Sequence, residues 1–135
     1  MPAFDESRPL TPRTAVITVS YGSGEVLEEF LQTLRKFHSS ELEVVVVDNK
    51  PDTENVRALA ERFDAEYVPL LSNPGYGAGM NAGVAALKGD FDAYFFCNPD
   101  VSFLGPTVDV LAKSLFRDED SGSIGPRLIN DDGSI

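Results

Sequence analysis

Cysteine and histidine are scarce in this chain, with one of each, Cys97 and His38, in 135 residues. A single cysteine excludes an internal disulfide framework and fits a reducing compartment. One histidine and one cysteine cannot build a zinc centre of the usual nitrogen–sulfur kind. Basic residues are also few. Eleven Lys and Arg stand against 22 Asp and Glu, a formal net charge of −11. That balance excludes unaided nucleic-acid binding, which needs cations in place of phosphate counterions, and it disfavours an anionic membrane surface. Long apolar runs are missing too. The four valines at 44–47 fall far short of the ~20 residues that span a bilayer. Residues 1–13, MPAFDESRPLTPR, contain no apolar stretch of signal-peptide length and read as a flexible N-terminal tail. These absences predict a soluble cytoplasmic protein with no transmembrane segment, and leave peripheral attachment to the inner face of a membrane open. Any phosphorylated ligand meets a repulsive net field, so a metal ion or backbone N–H groups must offset it locally.

What is present is a domain-length chain that is 42% hydrophobic, enough to bury a core and too apolar for disorder. Residues 14–20 form a β-branched run that reads as a buried strand, and Tyr21-Gly22-Ser23-Gly24 as a turn. From Glu25 the period changes: Val26, Leu27, Phe30, Leu31, Leu34 and Phe37 share one helical face. A second strand, 42–47, carries four consecutive valines, the pattern of a strand covered on both faces. Thr53 is positioned to cap a helix with apolar residues Val56, Leu59, Ala60 and Phe63. A third strand at 66–71, a glycine-rich loop at 72–79, a small-residue helix at roughly 78–87 and a fourth strand at 92–97 follow. Gly105-Pro106 opens a fourth helix, with Pro at its first position. Residues 123–129 are a candidate extended segment, and Asn130-Asp131-Asp132-Gly133 a hairpin-type turn. The second strand of such a hairpin would begin near Ile135, so the chain reads as cut off there. Four alternations of strand and helix predict an α/β fold: a mostly parallel sheet with helices on both faces.

In such sheets ligands bind beyond the carboxyl ends of the strands. Four ends are polar: Ser20-Tyr21, Asp48-Asn49, Leu71-Ser72-Asn73 and Asn98-Pro99-Asp100. Asn98 and Asp100 offer two oxygen side chains past an apolar strand, suited to a divalent cation held largely by its ligand's phosphates; the same residues also suit an Asx turn. Asp48 accepts hydrogen bonds and suits a ribose hydroxyl or a base N–H, or simply a turn. Tyr21 can stack on a base or pack as a turn aromatic. The segment Asn73-Pro74-Gly75-Tyr76-Gly77-Ala78-Gly79-Met80-Asn81-Ala82-Gly83 holds four glycines at a helix start, where backbone N–H groups can approach phosphate. Gly79 and Gly83 equally suit close helix–sheet packing. Gly22-Ser23-Gly24 begins a GxGxxG-like turn, but Leu27 stands where the third glycine belongs. His38 reads as a surface residue at a helix end, Cys97 as a small buried hydrophobe, and 118–120 as a solvated acidic turn.

Together these segments resemble glycosyltransferase family 2, inverting enzymes of the GT-A fold that use nucleotide-sugars. The carriers are residues 15–21 (AVITVSY), 45–49 (VVVDN), 73–83 and 95–100 (FFCNPD), in matching order and spacing. The NPD form and the closing residues 126–135 look most like a rhamnosyltransferase-type branch. The resemblance covers about 14–135, the expected nucleotide-sugar-binding part, and implies that Ser20, Tyr21 and Asp48 hold base and ribose. Asn49, Asn73, Gly75, Gly77, Asn81 and Asn98 then border the nucleotide-sugar. Asp100 becomes the metal contact, for Mg²⁺ or Mn²⁺, with Asn98 replacing the first acid of the family's DxD motif. The donor expected is a UDP- or dTDP-sugar, and the acceptor a saccharide or lipid-linked saccharide in surface polysaccharide synthesis. The resemblance places the family's general base beyond Ile135, and neither Asp131 nor Asp132 is assigned that role. The catalytic residue is therefore unknown, and the piece is expected to transfer little sugar alone. Two other readings share the pattern. A dinucleotide-binding Rossmann domain lacks its third glycine here, and a non-catalytic α/β interaction domain of the receiver kind lacks acids at the first strand end.

Overall fold

The computed structural model describes residues 12–51 and 55–135. Its elements run β1 (Thr14–Ser20), α1 (Gly24–Phe37), β2 (Glu43–Asp48), α2 (Val56–Arg62), β3 (Glu66–Pro69), α3 (Tyr76–Ala86), β4 (Ala93–Phe96) and α4 (Thr107–Arg117). The four strands form one sheet in the order β3-β2-β1-β4, every pair parallel. β1 and β2 are central, and the register aligns Ser20 with Asp48 at their carboxyl ends.

Strand alternation splits the valine run between two cores. Val16, Val44 and Val46 face one layer with Leu27, Phe30, Leu31 and Leu34 of α1, Val56 and Ala60 of α2, Phe103, and Val108 of α4. Ala15, Ile17, Val19, Val45 and Val47 face the other, against Met80 of α3. The layering follows from chain order. β1, β2 and β3 step toward one edge, so right-handed crossovers put α1 and α2 on one face. The chain then returns past β2 and β1 to β4 at the other edge, and the same handedness sends α3 across the opposite face. The strand order therefore reverses between β1 and β4, the crevice where open α/β sheets hold ligands.

Several boundaries differ from the sequence reading. β3 ends at Pro69, and Leu71 is solvent-exposed. α3 begins at Tyr76, because Gly75 adopts φ +95° as its N-cap, so Gly77 lies inside the first turn. Pro106 caps α4 from outside instead of occupying its first position. Thr53 lies outside the described residues, and α2 starts at Val56 after Asn55. Val26, expected on the inner face of α1, is 42% exposed in the first turn. Residues 123–129 form no strand, although the turn after them closes with Gly133 N–H donating to Asn130 O at 2.8 Å. Ile135, where the returning strand of a hairpin was expected to begin, is solvent-exposed. Residues 1–11 of the expected tail lie outside the described residues. Arg13 is anchored: its N–H donates to Asp92 Oδ2 at 2.7 Å and its guanidinium lies 4.2 Å from the Phe91 ring centre.

His38 corrects the sequence reading most sharply. It is 7% exposed and both ring nitrogens are engaged, Nδ1 with Leu34 O at 2.8 Å and Nε2 accepting from Val108 N–H at 3.1 Å. The residue that looks like a surface helix end is a buried bracket from α1 onto the first turn of α4.

Candidate functional site

All four strands point the same way, so every carboxyl end meets at one edge of the sheet. At the centre Ser20 is fully buried and Asp48 is 1% exposed. Asp48 is already anchored: Oδ1 accepts from Lys50 N–H at 3.0 Å and Oδ2 from the Tyr67 hydroxyl at 2.8 Å. An ionised carboxylate has about four lone-pair sites, so these two bonds orient it and leave acceptor capacity. Tyr67 is one residue the sequence reading missed. Its only signal was its register, since Val46 of β2 pairs with Tyr67 and sets it beside Asp48. Lys50 was also missed. Its ammonium lies 5.2 Å from the ring centre of Tyr21, which is 57% exposed.

Asn49 joins this centre to the glycine loop. Its backbone N–H donates to Ser20 O at 2.9 Å, and Nδ2 donates to Gly75 O at 3.2 Å. Asn73 stabilises the same loop, Oδ1 accepting from Gly75 N–H at 3.2 Å. The glycines divide by cause. A Cβ at Gly83 would sit 2.5 Å from Ile17 Cγ2 and 3.0 Å from Val47 Cγ2, and one at Gly79 3.1 Å from Val19 Cγ2. These two let α3 lie flat on the sheet. Gly77 has neither reason: a Cβ there meets nothing within 4 Å, and its φ is not positive. Asn81 is exposed in the second turn of α3, and no hydrogen bond draws it into the cluster.

Asn98 and Asp100 are both exposed past β4, on either side of buried Pro99. They line a cleft of about 900 Å³ with Tyr76, the first residue of α3, and the exposed rings of Tyr94 and Phe96. Cys97 lies between Phe96 and Asn98 in sequence and packs against the α1-side core. Burial, and after it the nearby Asp100 carboxylate, pushes its thiol up to about 11, so it stays a neutral thiol. Burial also raises the Tyr76 phenol, which remains a donor. Ile135, the position beyond which the resemblance sets the general base, does not line this cleft and brings no polar side chain to it.

No cluster of three or more His, Cys, Asp or Glu capable of holding a metal occurs among the described residues. Asp100 and Asn98 provide one carboxylate and one amide oxygen. That is too little for an all-protein cage, and it fits the Mg²⁺ pattern of one or two carboxylates completed by substrate phosphates. Among the described residues, three buried side-chain oxygens have no partner: Thr18 Oγ1, Ser20 Oγ and Asn49 Oδ1. All three belong to the carboxyl-terminal ends of β1 and β2. Leu27, where a dinucleotide fingerprint needs its third glycine, is fully buried in the core of α1, so that turn does not offer a dinucleotide cradle.

With the sheet order and its polar edge defined, the class of protein follows from comparison. The model of the family described as Glycosyl transferase family 2 matches residues 15–134, and the chain belongs to that family. Among individual proteins it is similar to N-acetylglucosaminyl-diphospho-decaprenol L-rhamnosyltransferase of Mycobacterium tuberculosis strain H37Rv, at 29% identity over 136 residues, covering 93% of this chain and 44% of the relative. The chain thus spans less than half the length of the curated relatives it matches. Among solved structures, S. aureus TarS 1-349 in complex with UDP-GlcNAc superposes with a TM-score of 0.64 at 24% identity, over 78% of this chain and 31% of that one. Mannosyltransferase PcManGT from Pyrobaculum calidifontis, in complex with GDP-Man and Mn²⁺, gives 0.63 at 22% identity, over 77% and 31%. At these identities the structural likeness establishes the fold, a GT-A-type α/β arrangement.

Proposed function

We propose that this chain is the donor-binding part of an inverting glycosyltransferase that takes a nucleoside diphosphate-sugar with a divalent cation. The observation that carries the proposal is the convergence of Ser20, Asp48-Asn49, the Gly75–Gly77 helix start and Asn98–Asp100 on one edge of the sheet, at its point of strand-order reversal. Tyr21, exposed and flanked by Lys50, offers a face for the base. Ser20 and Asp48 offer oxygens to base or ribose. The start of α3 offers N–H groups to the diphosphate, since no side chain caps it. Gly77, with open space on its Cβ side, lets a ligand approach that backbone. Asp100, with Asn98, would hold Mg²⁺ or Mn²⁺, and the cation supplies neutralisation of the diphosphate and of the leaving nucleotide. The site thereby accommodates a dianion in a molecule of net charge −11.

The preferred donor is a UDP- or dTDP-sugar, and the acceptor a saccharide or lipid-linked saccharide of surface polysaccharide assembly. The similarity to a decaprenol-linked rhamnosyltransferase supports that acceptor class. It also agrees with a cytoplasmic protein working at the inner face of a membrane, and no described helix is long and apolar enough to cross one. Deprotonating an acceptor hydroxyl needs a general base. We assign none up to Ile135, so these residues alone should bind donor and transfer little sugar.

Calorimetric titration with UDP and with dTDP, each with and without Mn²⁺, tests the reading. Binding that the metal strengthens is expected, and NADH should not bind. No heat or spectral shift with either nucleotide at millimolar concentration, on folded protein, would sink the proposal.

A further inference from the structure

We infer that Asn49 is a positioning residue: a buried post that sets the start of α3 in the attitude needed to receive the diphosphate. The functional half of this inference rests on the donor reading above; the structural half does not.

Asn49 is 5% exposed, and its backbone N–H and its side-chain Nδ2 are both committed to partners within the protein. Its backbone N–H fixes it to the end of β1 through Ser20 O. Its side chain reaches the other way, and Nδ2 donates to Gly75 O. That same carbonyl accepts Gly79 N–H at 3.0 Å, the first hydrogen bond of α3. One oxygen therefore both opens the helix and takes the post. The N–H groups ahead of Gly79 lack intrahelical partners by the geometry of any helix start, and α3 has no side-chain cap to occupy them. Their direction is fixed by where Gly75 O is held.

The neighbouring residues are shaped around this bond. Gly75 sits at φ +95°, a conformation that presents its carbonyl to Asn49 and that side chains rarely adopt. A Cβ at Gly79 would come 3.3 Å from Asn49 Nδ2 and 3.1 Å from Val19 Cγ2, so the glycine leaves room for the amide. Asn49 Oδ1 is buried with no partner, which means that donation to Gly75 alone orients the amide. An aspartate of the same size would set a carboxylate oxygen against a carbonyl oxygen, and an alanine would release the loop.

The test uses the 135-residue chain with Asn49→Ala and Asn49→Asp. Amide hydrogen exchange at Gly79, whose N–H is bonded to Gly75 O, should accelerate at least about tenfold in both, while exchange in β1 and α1 stays as in wild type. Chemical-shift titrations should show UDP affinity falling about five- to thirty-fold in Asn49→Ala, and further in Asn49→Asp. Uridine, which carries no phosphate, should bind as it does to wild type. Unchanged exchange at the helix start overturns the inference, as does an equal loss of uridine and UDP. A wild-type chain that binds no UDP overturns the donor reading instead, and the exchange rates then decide the role of Asn49 by themselves.

Discussion

At the scale of single residues, glycines with the same covalent structure occupy α3 for different physical reasons. Gly83 faces Ile17 and Val47, both fully buried and unable to retreat. Gly83→Ala should therefore lose about 1–3 kcal/mol of unfolding free energy through overpacking, read by urea denaturation. Gly77→Ala should do the reverse. Nothing stands within 4 Å of its Cβ, so the substitution gains up to about 1 kcal/mol of helix propensity while weakening UDP binding. The sequence showed both possibilities for the glycine segment but could not allot them, because packing partners far upstream appear only after folding. Asp48 is similar. Its position after four valines was legible, whereas its bond to Tyr67, 19 residues on, depends on strand register.

At the scale of elements, what a segment packs against decides roles that its own pattern leaves open. Helix periodicity located α1 well, yet His38 at its end looked like surface because α4 was not yet beside it. In the fold His38 joins the carbonyl end of α1 to an N–H at the start of α4, and its ring meets Phe103 edge-on at 5.7 Å. Replacing it with alanine removes both bonds and leaves a void. His38→Ala should cost about 2–3 kcal/mol, with the fastest-rising amide exchange at Val108. Arg35, in the last turn of α1, fastens that helix end to the end of α2, donating to carbonyls of Phe63, Leu42 and Asp64 at 2.8, 2.9 and 3.0 Å. Burial lowers its guanidinium's pKa, and Asp64 and Glu43 oppose that shift. The candidate extended segment 123–129 pairs with no strand for a related reason. An extended segment joins a sheet only where a partner offers a ladder, and in this structure that segment lies along the cleft beside β4.

For the molecule as a whole, the net charge of −11 is the dominant long-range property, and in the proposed function the donor site must offset it locally. Asp100 is the lever in the proposed function. In Asp100→Asn the Mn²⁺-dependent gain in UDP affinity should fall about tenfold or more, as for loss of a metal ligand's anchoring. In EDTA the same variant should bind UDP at least as well as wild type, because one repelling charge is gone. Calorimetry in the two buffers checks the split, and a loss of equal size in both would remove the metal from Asp100. By itself the sequence determined the α/β alternation, the doubly covered central strand and the polar strand ends, since these follow from periodicity and from where apolar runs stop. Only the tertiary structure decided which ends lie together, which glycines serve packing, and that Tyr67, Asn49 and His38 act as internal fasteners. Those roles depend on strand order and crossover direction, which bring residues distant in sequence within hydrogen-bonding reach.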